Sequence, residues 1–250
     1  MRLDGFLSKN GFGSRKSVKK LILNSRVKVD DKVILDVGYK LNENNIIKVD
    51  DKVIENISNV VLILNKPTDY ISSLIDERYP SVMNLIDEKY KRDLRLVGRL
   101  DYDTTGLLLL TDNGVLNARL TSPKYHIEKT YQVRVNHLLK EELIDKFNQS
   151  NDIGKGEITL PAKLRIIDNY NAEITITEGK YHEIKRLFGK YNYDVINLNR
   201  ISFGPIKLND LQSGQYRKLN KEEYILLLES VNLNKEEYLW LFVLNVEKLM

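Results

Sequence analysis

The spacing of apolar residues changes several times along the chain, and each change marks an element. Leu3, Phe6 and Leu7 recur at helical spacing until Gly11, Phe12 and Gly13 break the run. Ser14, a good N-cap, opens a second predicted helix, with Val18, Leu21 and Ile22 on one face and Arg15, Lys16, Lys19 and Lys20 roughly opposite. The period then falls to two. "VKVDDKVI" (Val27–Ile34) and "IKVDDKVI" (Ile47–Ile54) are near-copies in which alternating apolar residues flank an Asp-Asp pair suited to a turn. Two copies do not make a solenoid, so they read as strand–turn elements of one small domain.

"ENISN" (Glu55–Asn59) has no apolar periodicity and reads as a linker, after which "VVLILNKP" begins a buried strand. Strand signals at Tyr131–Val135 and Ala172–Thr177 then alternate with helical ones at Lys140–Phe147 and Glu183–Tyr191, an α+β pattern and not a regular doubly wound sheet. Beyond Ser230, Leu239, Phe242, Val243 and Val246 fall at helical spacing and predict a terminal helix packed on the domain or on a partner.

At 250 residues, with 42% hydrophobic and 30% charged positions, the composition is that of an ordinary soluble protein of one or two domains. A formal charge of +4 identifies no polyanion partner, but its distribution does more: from Met1 to Lys28 eight basic residues face the single acid Asp4. The absence of cysteine and the three scattered histidines (His126, His137, His182) give no metal-ligand spacing, and no glycine-rich phosphate loop occurs, so neither metal nor cofactor is expected. No apolar run approaches the roughly 20 residues that span a bilayer, and no signal peptide is evident. The expectation is a cytoplasmic protein.

Chemistry enters with "GRLDYDTTGLLLLTDNG" (Gly98–Gly114). Arg99 precedes Asp101 by two positions, Thr104 and Thr105 supply hydroxyls, and Gly106 lets the backbone approach something closely before the leucines anchor the segment. Read alone, Asp101 is either a turn or cap residue or a reactive carboxylate on a loop held by a buried strand.

Five motifs, in order, resemble the pseudouridine synthases, and within them the single-site ribosomal RNA enzymes that carry an amino-terminal S4 RNA-binding domain. The opening "RLDGFLSKNGFGSRKSVKKLILNSRVKVDDKVI" resembles the S4 domain. "LNKPTDYISS" (Leu64–Ser73), "GRLDYDTTGLLLLTDNG", "EKTYQVRV" (Glu128–Val135), "EGKYHEIKRLFGKYN" (Glu178–Asn192) and the closing "LNRISFGPIKLNDLQSGQYRKL" resemble the catalytic domain. The resemblance implies an α+β protein: an S4 domain at 1–55, a linker at 56–60, a catalytic domain at 61–230 with a mixed, mainly antiparallel sheet flanked by helices, and an extension at 231–250 of no assigned role.

It also implies the chemistry: breaking the bond from uracil N1 to ribose C1′, turning the bound base and rejoining it through C5, without cofactor. Asp101 is then the catalytic aspartate, either as nucleophile at C1′ or by taking a proton from the sugar. Tyr131, which on its own reads as a core aromatic, becomes the ring that stacks on the flipped uracil. Lys185, otherwise part of a solvated helix face, becomes the cation paired with Asp101, with Arg186 as the alternative partner or a phosphate contact. Leu100 and Thr105 are expected to shape the pocket. Arg2, Arg15, Lys16, Lys19, Lys20, Arg26, Arg99, His182 and Arg186 are the expected RNA contacts. "GKYHEIKRLF" favours the small-subunit type, so the expected partner of this monomer is small-subunit ribosomal RNA in an assembling particle. Large-subunit or transfer RNA, or an idle S4-type assembly factor, is the alternative.

Three positions depart from the family pattern. Asp31 and Asp69 stand where glycine is usual in turns, which predicts strain, and Glu183 replaces a usual glutamine, which predicts weaker phosphate attraction.

Overall fold

The computed structural model describes residues 2–42, 45–54, 59–88 and 91–235. Most of the expected linker and the whole of the expected terminal helix therefore lie outside the described residues. The chain forms two compact units, one comprising the described residues of Met1–Val60, Asp87–Leu94 and Asn234–Met250, the other Val61–Ile86 and Arg95–Leu233.

In the first unit, α1 (Leu3–Lys9) and α2 (Arg15–Leu23) precede four short strands, β1 (Val27–Val29), β2 (Lys32–Val33), β3 (Ile47–Val49) and β4 (Lys52–Val53). The Ser14 hydroxyl accepts from Ser17 N and caps α2, satisfying a backbone donor the helix leaves open. The two near-repeats become two hairpins joined edge to edge in the order β2-β1-β3-β4, antiparallel throughout. Asp30, Asp31, Asp50 and Asp51 all have φ between 49° and 65°, so both turns carry the positive φ at each central position that tight right-twisting hairpins need. Aspartate meets that requirement in both copies, so the turn at Asp31 is not bent differently. Lys28 lies opposite Lys48, and the copies bond reciprocally: Lys28 Nζ to Asp51 Oδ1 at 2.6 Å, Lys48 Nζ to Asp31 Oδ1 at 2.5 Å. Beneath them Leu3, Phe6, Leu7, Val18, Ile22, Val27, Val29, Ile47 and Val49 form the core.

The second unit is built on a mixed, mainly antiparallel sheet in the order β13-β5-β7-β11-β8-β10-β9, with β6 beside β7 and β12 beside β11. Its strands are β5 (Val61–Lys66), β6 (Arg95–Val97), β7 (Thr105–Thr111), β8 (Lys129–Val135), β9 (Lys163–Ile166), β10 (Asn171–Ile176), β11 (Val195–Phe203), β12 (Ile206–Lys207) and β13 (Tyr216–Lys218). Among the strand pairs of the described residues, β7 and β11 run parallel and the others antiparallel. Helices α3 (Gly114–Thr121), α4 (Glu142–Phe147), α5 (Glu183–Lys190) and α6 (Lys221–Glu229) complete it. Strands β5 and β7 are apolar on both faces, with Leu62, Ile63, Leu64 and Leu107–Leu110 fully buried, as continuous apolar runs require. On α5 the expected apolar stripe is buried at Ile184, Leu187 and Phe188, and Tyr191 remains half-buried.

Candidate active site

Two buried strands deliver the loop that carries Asp101. Strands β5 and β7 pair antiparallel with Leu64 opposite Leu108 and Lys66 opposite Gly106, so the end of one lies against the start of the other. Lys66 ends β5, after the apolar run 61–64 and Asn65, and is fully buried. Its ammonium donates to three carbonyls, Thr104 O at 2.8 Å, Pro67 O at 3.0 Å and Tyr102 O at 3.1 Å, and two of these belong to the Asp101 loop. Burial lowers the Lys66 pKa to about 8, against the opposing charges of Asp103, Asp101 and Asp69. Ser72 grips the same loop from another side, its hydroxyl accepting from Leu100 N at 3.0 Å and donating to Leu100 O at 2.8 Å. Asp101 closes the turn itself by accepting Thr104 N on its carbonyl at 3.1 Å.

Gly106 then takes φ +101°, and a Cβ there would collide with the backbone of Arg200 on β11. The close approach expected of this glycine is the packing of β7 on β11. The Thr105 hydroxyl donates to Asn199 Oδ1 at 3.0 Å, while Leu100 and Thr104 form the wall beside Asp101. Asp69 adopts φ +67°, the left-handed conformation that a glycine would take at this turn.

Helix α5 brings the cation. Its carboxylate partners are Asp103 Oδ1 at 2.6 Å from Lys185 Nζ and Asp101 Oδ2 at 3.5 Å. The tighter partner of Lys185 is therefore Asp103, not Asp101. Burial works to raise the Asp103 carboxyl, but the bond and charge of Lys185 outweigh it and hold Asp103 below its ordinary value. His182, in left-handed conformation at the start of α5, sets Nε2 3.6 Å from Asp101 Oδ2. Asp101 thus has two nitrogen groups near one oxygen without a short bond to either, an arrangement that leaves its lone pairs open.

Two expectations on this helix are corrected. Arg186 is not a partner of Asp101: its guanidinium donates to Ile153 O at 3.1 Å, Gly154 O at 2.7 Å, Tyr181 O at 3.0 Å and the Glu157 carboxylate. So engaged, it ties α5 to the segment 153–157 and to Tyr181 just before the helix, and has little donor capacity left for a phosphate. Glu183 does not weaken phosphate attraction at the surface, because it is 4% exposed and accepts Lys180 N at 2.7 Å, an internal cap whose pKa burial raises.

Tyr131, on β8, is 7% exposed and forms another wall of the cavity that contains Asp101 and Lys185. Behind it lies Arg200, 2% exposed, which donates Nε to Leu107 O at 2.7 Å and Nη1 to the Tyr131 hydroxyl at 3.4 Å. The inner cavity, about 90 Å³, continues into an outer one of about 510 Å³ that shares Arg99, Leu100, Asp101, Gly179, Lys180 and His182.

A carboxylate on a clamped loop, a lysine and a ring thus line one cavity. Residues 60–190 match the family model described as RNA pseudouridylate synthase, and residues 1–47 match the S4 domain. The chain belongs to the RNA pseudouridylate synthase family. It is 37% identical to the ribosomal small subunit pseudouridine synthase A of Yersinia pestis, over 89% of this chain and 96% of that one. Against the protein of the same name from Vibrio cholerae the figures are 38%, 89% and 97%. A solved structure described as a pseudouridylate synthase superposes with a TM-score of 0.65 at 35% identity, covering 91% of this chain and 99% of that one.

Within this synthase the remaining RNA-contact candidates divide into three groups. Arg15, Lys16, Lys19 and Lys20 are exposed on α2 and form no ion pair among the described residues. Arg2 and Arg26 are also exposed but tied to acids, Arg2 Nε to Asp4 Oδ1 at 3.0 Å and Arg26 Nε to Asp50 Oδ1 at 2.7 Å, which offsets their charge. Arg99 is exposed at the rim of both cavities. Sequence reasoning missed Lys66, Ser72, Asp103 and Arg200. The one usable signal was Lys66, a charge ending a run of buried apolar residues, since a buried ammonium has to be fixing something. No helix among the described residues is long and apolar enough to cross a membrane.

Proposed function

We propose that this synthase isomerises one uridine of small-subunit ribosomal RNA to pseudouridine, as a monomer acting on an assembling particle, with Asp101 as its catalytic carboxylate. The observation that carries the reading is Asp101 Oδ2 lying 3.5 Å from Lys185 Nζ and 3.6 Å from His182 Nε2, beside a cavity walled by Tyr131. The small-subunit assignment is supported by the names of the Yersinia and Vibrio relatives.

The division of labour follows the charge. Residues 1–55 hold structured RNA through phosphate contacts from Arg15, Lys16, Lys19 and Lys20, with Arg2 and Arg26 as weaker contributors. Residues 61–230 accept the flipped uridine, whose uracil stacks on Tyr131 while ribose C1′ meets Asp101. A carboxylate serves there by attacking C1′ or by removing a sugar proton. In either role the Lys185 ammonium, 3.5 Å away, holds and orients the carboxylate. The reaction moves one bond from N1 to C5 with no net change of composition, so its balance calls for no external electron or group donor.

The test is carbodiimide-based pseudouridine mapping on unmodified small-subunit ribosomal RNA, with and without ribosomal proteins, after incubation with the protein or with Asp101→Asn. One new stop that requires Asp101 is expected. A stop that survives Asp101→Asn removes the aspartate from the chemistry, and a stop only on large-subunit or transfer RNA removes the substrate assignment. Release of free uracil would make the reaction a glycosylase's.

A further inference from the structure

The outer cavity is left unexplained by that chemistry. It lacks Tyr131 and Lys185, yet at about 510 Å³ it falls within the roughly 300–1,000 Å³ of pockets that hold small ligands. Ile71, Ser72 and Ser73 form one side and Tyr181 with His182 the other, while Asp101 belongs to both cavities. Tyr181 is the unusual element here: 64% exposed, with its ring lying on the His182 ring at 3.9 Å between centroids and 18° between planes. A large aromatic left in solvent costs hydration unless something covers it.

The segment that presents Tyr181 is held from three directions. Its carbonyl accepts Arg186 Nη1, Lys180 N bonds the buried Glu183, and Lys180 Nζ pairs with Glu178. Cations border the ring's surroundings: Lys155 Nζ stands 6.0 Å from its centroid, and Arg99 lines the cavity with Lys180, whose ammonium is tied to Glu178; the lining acids are Asp101 and the exposed Glu77. A rigid, solvent-facing ring beside cations, opening directly from the carboxylate, suits an unpaired nucleotide: a base for the ring and a phosphate for the ammonium groups.

We propose that Tyr181, backed by His182, is a stacking platform for the unpaired base adjacent to the target uridine, so that the protein reads two neighbouring nucleotides. This rests on the isomerase reading for the identity of the inner occupant. With the uridine sugar at Asp101, the outer cavity, which shares Asp101 with the inner one, offers the strand a way out that places the next base beside Tyr181. The substrate is thereby restricted to a uridine whose neighbour is free to unstack.

The experiment uses the full-length protein and a short single-stranded RNA in which 5-fluorouridine is flanked on both sides by 2-aminopurine. Binding is expected to quench 2-aminopurine fluorescence with the wild type and with Tyr181→Phe or Tyr181→Trp, and to leave it largely unquenched with Tyr181→Ala. On ribosomal RNA, Tyr181→Ala is expected to raise KM about tenfold and to alter kcat far less, with Tyr181→Trp restoring KM. Because the side chain is exposed, its removal leaves the fold standing. Quenching reads stacking whether or not uridine is converted, so a quenching but inactive protein sinks the isomerase reading alone. Conversion with quenching and KM indifferent to Tyr181→Ala sinks the platform alone.

Discussion

The two units of this chain use lysine and arginine in opposite ways. In the first, Arg15, Lys16, Lys19 and Lys20 stand in solvent on one helix. In the second, Lys66 and Arg200 are withdrawn from water: Lys66 donates to three carbonyls, and Arg200 to a carbonyl and a tyrosine hydroxyl while its Nη2 has no partner among the described residues. An exposed cation acts on a polyanion through a long-range, salt-screened and roughly additive attraction. A buried one acts through position, because its donors need partners and the backbone around it is fixed to provide them. Binding in the first unit should therefore degrade gradually under substitution, and reactivity in the second should collapse at single positions.

The largest expected effect lies at Lys66. Lys66→Met leaves the carbonyls of Pro67, Tyr102 and Thr104 without their donor and frees the Asp101 loop, so the turnover rate should fall at least about 10²-fold. RNA affinity, read by filter binding, should stay within about threefold if α2 supplies it. Stability carries a second signature. The folded pKa of about 8 lies below the ordinary 10.5, so between those values the unfolded chain holds a proton that the folded chain does not. Unfolding free energy should therefore rise with pH across that window, by up to about 3 kcal/mol from this group, and Lys66→Met should lose that part of the rise. Denaturant melts at pH 8 and pH 10 check it.

Next come Asp101's cation and the other carboxylate that cation holds. Lys185→Met removes the ammonium 3.5 Å from Asp101, and a rate loss of about 10²-fold is expected from the cost of deleting one electrostatic partner in an active site. Asp103→Asn should cost less, about tenfold, since Lys185 remains but loses its 2.6 Å anchor. The Asp103 carboxyl is held below its ordinary value, so the wild-type ion pair persists as pH falls until that lowered value is reached. The difference in rate between wild type and Asp103→Asn should thus be constant near neutrality and vanish in acid. A difference that grew in acid would contradict the assigned pairing.

Replacing Arg15, Lys16, Lys19 and Lys20 with glutamine should weaken RNA binding in proportion to the number replaced. The slope of its salt dependence should flatten by roughly 0.7–0.9 for each phosphate no longer neutralised. The turnover rate at saturating RNA should hold. A collapse of that rate after a single substitution on α2 would end the contrast between the units.

How much of this was legible depended on the range of the interaction. The periods that place α2, β5, β7 and α5 are local, and the apolar face predicted for α5 is buried at Ile184, Leu187 and Phe188. The motifs brought Asp101, Tyr131 and Lys185 together across distant positions, and all three line one cavity. What stayed hidden is long-range and polar. Asp103, two residues past Asp101, reads like any turn acid until α5 arrives beside it, and Ser72 reads like any loop serine until Leu100 does. Arg186 and Glu183 misled because charge on a helix suggests solvent, whereas the chain's own segments at Ile153–Glu157 and Lys180 satisfy both.

The near-repeat gives the smallest expected effect and the sharpest check on the contrast. Lys28–Asp51 and Lys48–Asp31 are short and reciprocal, and burial does little to strengthen them: both acids are more than three-quarters exposed. Exposed pairs gain little over hydration and are screened by salt, so Lys28→Gln together with Lys48→Gln should move the melting temperature by no more than about 2 °C. Ile47→Ala lies on the same strand as Lys48 but faces the core, where it is 5% exposed, and should cost about 2–4 kcal/mol. If the lysine pair instead lowered the melting temperature as much as Ile47→Ala, the charges would be organising the hairpins, and the first unit would be using cations for position just as the second does. A small shift that disappears in high salt would leave those lysines where their exposure puts them, as surface charge over a sheet that its apolar face already holds.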